Sequence, residues 1–207
     1  MNWRLQGSKV LVVDLNGDAV RAASGSMVAY EGDIAFKSAG TGGGGGLRAA
    51  LMQRVAGESL NLMECRGRGT LHLAVSAMDV VLVELAGEEL RAESEQLLAL
   101  SEGLRTEVVF AGLQGATSGQ GLFTTKVTGH GPLALLSAGG PPIALRVTPQ
   151  APLVVDPQAF IASRGRLSQT FVTDVSWRNL AGEGSGEAFS LRFEGDGVVY
   201  VQPEERG

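Results

Sequence analysis

The chain repeats itself at a spacing of 62 residues. "GESLNLMECRGRGTLHL", from Gly57, lies over "GQGLFTTKVTGHGPLAL", from Gly119, and 119 − 57 sets the offset. At that offset Gly67 meets Gly129, Gly69 meets Gly131, Leu71 meets Leu133 and Leu73 meets Leu135. The register continues without a gap into "AESEQLLALSEG" over "VVDPQAFIASRG", aligning Gln96 with Gln158, Ser101 with Ser163 and Gly103 with Gly165. A partial third copy, "GEAFSLRFEGDGVVYVQ", brings Gly195 and Gly197 into the same place. A short unit cannot bury its apolar face alone, so repeated units must pack against one another. The expected organisation is one compact unit over 1–207, with copies at about 57–103 and 119–165 and a partial copy at 185–202.

Each copy reads as β-structure. "GRG", "GHG" and "GDG" each separate two β-prone runs, and tight hairpin turns need the positive φ that glycine adopts without a Cβ clash. On this reading Gly67, Gly69, Gly129, Gly131, Gly195 and Gly197 are structural turn glycines. Leu71, Leu73 and Val75 alternate with His72, Ala74 and Ser76, the period of a strand with one buried face. "MDVVLVEL", "PPIALRV", "VVFAGL" and "FSLRFEG" are similarly rich in branched and aromatic residues. The expectation is an all-β chain of about fifteen or more short strands, closed as a barrel or packed as a sandwich. Leu47, Leu51 and Val55 recur at four-residue spacing, which makes "LRAALMQRVA" a short helix following a Gly-rich loop.

Composition removes several classes of function. The apolar fraction of 44% in 207 residues supplies a sizeable core. A formal charge of −5 and a pI near 5.1 do not suit a surface built to neutralise phosphates, so nucleic acid is not an expected partner. Cys65 is the sole cysteine, which rules out an intrachain disulfide and a cysteine-based zinc cage. The apolar run from Val10 to Val13 is too short for a signal-peptide core or a membrane span. These features predict a cytoplasmic chain, with membrane contact at most peripheral.

The order of motifs carries a family resemblance. "GSMVAYEGDIAF", "GLRAALMQRVAGESL", "GRGTLHLA", "LAGEELRAESEQLLAL", "GLQGATSGQGLFTTKVTGHGPLAL" and "PLVVDPQAFIA" follow one another over Ser24 to Gln202. Together with the duplication, this series resembles the altered-inheritance-of-mitochondria, or mitochondrial biogenesis, family, which has many bacterial members of unknown function. The resemblance implies a double-stranded β-helix similar to the trp RNA-binding attenuation protein, duplicated within one chain. It also implies a closed ring of copies, in the form of a cyclic trimer. Mitochondrial members carry a leader that is missing from "MNWRLQGSKVLVVDLNGD", so their organelle role is not implied.

Individual motifs point away from catalysis. Gly42 to Gly46 run into Leu47 and Arg48, whereas a phosphate-binding loop needs Lys followed by Ser or Thr there. The dinucleotide fingerprint and its βαβ setting are likewise missing. The run therefore reads as a connector to a helix whose Leu47, Arg48, Leu51, Arg54 and Val55 form a possible interaction segment. His72 and His130 are the only histidines, too few for a metal site of converging histidines and carboxylate. Cys65 aligns with Val127 and reads as a small buried residue, although Arg66 and Arg68 could activate a thiolate there. No nucleophile-elbow pattern occurs. Asp79 to Glu107 holds eight acids against Arg91 and Arg105, a balance of −6, and reads as a solvated rim. Asp156 before Pro157 reads as a turn cap. No catalytic, cofactor or metal residue is assigned. The favoured function is a non-enzymatic, ring-forming scaffold or binding protein with a possible protein partner. The alternative is a small-ligand-binding or metal-dependent protein that uses a barrel interior or subunit interface.

Overall fold

The computed structural model describes residues 1–40, 60–110, 123–173 and 189–204. They form a single thirteen-stranded antiparallel arrangement, so the all-β class holds. In chain order the strands are β1 (Asn2–Gln6), β2 (Val10–Ala23), β3 (Met27–Gly40), β4 (Leu62–Leu73), β5 (Asp79–Ala86), β6 (Leu90–Glu93) and β7 (Leu97–Ser101). They continue as β8 (Leu104–Phe110), β9 (Phe123–Ser137), β10 (Ile143–Val147), β11 (Leu153–Val155), β12 (Phe160–Thr173) and β13 (Phe189–Val201). The only helical piece among the described residues is a 3-10 turn, Ser94–Gln96, and the helix expected over 47–56 lies outside them.

Three long strands organise the fold, and each is flanked on both edges. β4 lies between β2 and β3. β9 has β5 and β6 along one flank and β7 and β8 along the other. β13 has β10 and β11 on one flank and β12 on the other. Short ladders join neighbouring units: Val20, Arg21 and Ala22 of β2 pair with Ser101, Leu100 and Ala99 of β7, and Leu90, Arg91 and Ala92 of β6 pair with Arg164, Ser163 and Ala162 of β12. The resulting strand path, β10-β13-β12-β6-β9-β7-β2-β4-β3, does not close into a barrel.

The Gly-x-Gly pairs are not hairpin tips. Gly67 and Gly69 lie inside β4, Gly129 and Gly131 inside β9, and Gly195 and Gly197 inside β13. The physical reason is close approach of a second backbone, the other circumstance that places glycine in a strand. Gly69 faces Gly32 of β3, and a Cβ on Gly32 would sit 2.8 Å from the Gly69 Cα. Gly165 faces Gly197 in the same way, again with 2.8 Å to the opposing Cα. Because glycine lets the strand bend without interrupting its ladder, runs expected as two short strands form one strand of 12 to 15 residues. Real hairpin tips lie elsewhere, as at Gly7 (φ +63°) between the paired strands β1 and β2.

The side chains that the alternation predicts to be inward do build the core. Leu71 and Leu73 are fully buried and His72 is only half-buried. Cys65, Val127 and Phe193, each two residues before its Gly-x-Gly, are fully buried in separate apolar clusters. In the last of these Phe160 stacks on Phe193 at a centroid separation of 5.4 Å. Burying side chains of this size stabilises by roughly 1.5–3 kcal/mol each. The three clusters are bridged by the long strands: β4 and β9 each contribute to the first two, and β13 to the first and third.

Candidate functional site

Chemistry-bearing residues are dispersed. Among the described residues no group of three or more His, Cys, Asp or Glu converges as a metal site would require. His130 is exposed, as a surface role predicts, but it stands within β9 opposite Ala86 rather than in a turn. Burial, with a smaller contribution from the neighbouring Glu64 charge, pushes the Cys65 thiol up to about 11. It is therefore a buried apolar side chain and not a thiolate nucleophile, despite Arg66 next to it. Asp156 accepts a hydrogen bond from the Gln158 backbone N–H at 2.9 Å, which is the turn-capping role. A cleft of about 240 Å³ opens where the first two units meet, lined by Ala23, Ser24, Leu60, Asn61, Ser94, Glu95 and Leu97. Polar side chains of its lining are engaged with protein: Ser24 Oγ donates to Asn61 Oδ1 at 3.1 Å across its walls, and Ser94 Oγ lies 2.8 Å from Thr125 Oγ1.

The acidic stretch is more structural than a solvated rim. Asp79 and Glu93 are each only 6% exposed. Asp79 accepts from Lys9 Nζ at 3.1 Å, and bonds from Ser8 and then Lys9 hold its carboxyl below the usual range. Glu89 is pushed up by partial burial, but bonds from Lys126 (2.8 Å) and Arg91 (2.7 Å) outweigh this and leave it depressed. Arg66 joins Glu102 at 2.6 Å, linking the first unit to the second. Arg21, half-buried at the same junction, donates to the Leu104 carbonyl at 2.6 Å and to Thr106 Oγ1 at 3.3 Å. Arg66–Glu102 and Arg21 tie the first unit to the second, while Glu89, Arg91 and Lys126 brace β6 on β9 within one unit.

Among the described residues β1, β5 and β8 each have one neighbouring strand, and so do the two ends of the strand path. Among the described residues β3 pairs only with β4, and residues 27–33 are exposed on both faces. At the opposite end β10 and β11 pair, among the described residues, only with β13. Five of the seven exposed large apolar side chains among the described residues lie on these ends: Met27, Val28 (59% exposed) and Tyr30 (47%) on β3, Ile143 (49%) on β10 and Val154 (43%) on β11. A free edge with apolar side chains and unpaired backbone groups is a template for another strand. Single exposed apolar residues are ordinary, but this concentration on two edges is not.

Comparison with known proteins now places the chain. Residues 3–204 match the family described as mitochondrial biogenesis AIM24. The chain belongs to this family. Among solved structures, the crystal structure of a Streptococcus pyogenes protein is similar at a TM-score of 0.73 and 23% identity, covering 99% of this chain and 93% of that one. At that identity the likeness bears on the fold alone. No functionally curated protein matches. Within the AIM24 chain, the "GSMVAYEGDIAF" motif is the turn into β3 and most of that exposed strand, whereas "PLVVDPQAFIA" carries β11 and the start of β12. These two motifs thus fall on the sheet ends, where sequence reasoning did not look for a site, whereas "GRGTLHLA", "LAGEELRAESEQLLAL" and the described part of "GLQGATSGQGLFTTKVTGHGPLAL" lie in β4, in β5 to β7 and in β9. The possible interaction segment Leu47, Arg48, Leu51, Arg54 and Val55 lies outside the described residues. No helix among the described residues is long and apolar enough to cross a membrane.

Proposed function

We propose that this AIM24 protein is a non-enzymatic, ring-forming scaffold or binding protein whose copies associate through the two free ends of the strand path. The observation that carries this reading is the concentration of exposed apolar side chains on β3 at one end and on β10 and β11 at the other. The two ends are different surfaces, so association is head to tail, and a head-to-tail contact that closes produces a ring. Three copies is the number that the family resemblance implies, with each unit acting as a turn of a β-helix. The resulting ring presents repeated faces to a protein partner. The alternative of a ligand held in the interior is less well supported, because three apolar clusters occupy the described interior. Sedimentation velocity tests the proposal. Wild-type protein should sediment as one oligomeric species, and Val28→Glu, which places a charge on the β3 edge, should shift it toward the 21.5 kDa monomer. A wild-type chain that is monomeric at tens of micromolar refutes the reading.

A further inference from the structure

The two junctions inside the chain have the same construction, and this construction specifies a third. Ladder position relative to each Gly-x-Gly defines equivalence here; it matches Leu90 with Leu153 (153 − 90 = 63) and Ala99 with Ala162 (162 − 99 = 63), one residue more than the sequence offset of 62. On the outgoing side, Val20, Arg21 and Ala22 pair with Cys65, Glu64 and Met63 of β4. Leu90, Arg91 and Ala92 occupy the same ladder positions against Val127, Lys126 and Thr125 of β9. Leu153, Val154 and Val155 of β11 occupy them against Phe193, Arg192 and Leu191 of β13. On the incoming side, Ala99 and Leu100 face Ala134 and Leu133, and Ala162 and Ser163 face Tyr200 and Val199. Ala29 and Tyr30 of β3 hold the corresponding positions against His72 and Leu71.

Every outgoing triplet but the last has its incoming partner. Arg21 pairs with Leu100 and Ala22 with Ala99, while Arg91 pairs with Ser163 and Ala92 with Ala162. β11 has no partner on its outer edge among the described residues, and neither does β3. We propose that β11 of one copy pairs antiparallel with β3 of the next in the register of the internal junctions: Leu153 opposite Glu31, Val154 opposite Tyr30 and Val155 opposite Ala29.

Two features independent of the ladder arithmetic agree with this register. Alanine stands at the same incoming position in all three units, as Ala29, Ala99 and Ala162, where a second strand must come close. The outgoing position that carries Arg21 and Arg91 inside the chain carries apolar Val154 at its end, and the side chain it would meet is the exposed Tyr30. Aromatic with β-branched is a favourable cross-strand pair. Buried against each other, these two side chains would cease to be exposed, and two free edges would be paired.

This inference rests on the ring reading, and cysteine cross-linking separates the two. Directly opposed residues in an antiparallel pair have Cα atoms about 4.5–5.5 Å apart, within disulfide reach. In a Cys65→Val background, which copies the Val127 environment, Tyr30→Cys plus Val154→Cys should oxidise to covalent multiples of the 21.5 kDa chain. The same Val154→Cys combined with Val28→Cys, two positions off register, should remain largely single-chain. Mixing the two in-register single variants should give only a covalent pair of chains. As a check without cysteine, Val154→Lys and Tyr30→Glu should each weaken assembly and together restore it. A native oligomer that cross-links off register, or in neither combination, overturns the β11–β3 register and leaves the ring reading standing. A wild-type monomer overturns both.

Discussion

Gly69→Ala tests whether the Gly-x-Gly pairs are crossing points or turns. Gly69 has φ +156°, and an added Cβ would overlap the Glu31 carbonyl oxygen and lie 3.1 Å from the Gly32 Cα. The obstacle is the β3 backbone, so no side chain can swing away. Holding alanine there costs roughly 1–3 kcal/mol of backbone strain. Relief by opening the β3–β4 ladder forfeits one or two backbone hydrogen bonds at about 1 kcal/mol each. The sum is about 2–5 kcal/mol, which for a chain of this length lowers Tm by about 4–20 °C. Gly17→Ala is the comparison, because Gly17 also has positive φ (+92°) but nothing lies within 4 Å of its added Cβ. That substitution carries the conformational cost alone, about 1 kcal/mol. Urea unfolding at one fixed protein concentration measures both, since any assembly adds to apparent stability by mass action. Equal destabilisation by the two substitutions would refute the crossing-point account.

Other outcomes follow from the same geometry. Phe160→Ala should cost about 3–5 kcal/mol in urea unfolding, and a double-mutant cycle with Phe193→Leu should show coupling of about 0.5–1.5 kcal/mol from the lost ring stacking. Cys65→Val should be tolerated within about 1.5 kcal/mol, and native Cys65 should resist a thiol reagent at pH 8 until urea exposes it, because burial keeps it protonated. Glu89 has a folded value below its unfolded value near about 4.3, so its stabilisation is complete above that value and lost as pH falls through the lower folded one. Glu89→Gln should accordingly flatten the acid limb of a Tm–pH curve as pH falls below its unfolded value, and an unchanged acid limb would remove Glu89 from the account.

Local periodicity was legible in the sequence, and partner choice was not. The alternation at Leu71, His72 and Leu73 required no knowledge of the neighbouring strand, and it matches the burial observed. The Gly-x-Gly pairs were misread because what they accommodate, Gly32 for Gly69 and Gly165 for Gly197, lies 37 (69 − 32) and 32 (197 − 165) residues away. The acidic stretch misled for a similar reason: Asp79 is neutralised by Lys9, 70 residues earlier. The first long strand, β4, lies within the copy that begins at Gly57, whereas its flanks β2 and β3 precede that point. Edges are the extreme case. Nothing local in "MVAYEGD" marks it as the end of a thirteen-strand path, because an edge is defined by pairing that occurs everywhere else. The exposed side chains of β3 and β11 acquire meaning only once that path is known.

A native mass spectrum of gently purified protein tests the central claim most directly. The account predicts a single closed assembly at an integer multiple of the 21.5 kDa chain, three by the family resemblance, with no ladder of open multiples. A spectrum dominated by the 21.5 kDa monomer, or by open chains of every length, would contradict it.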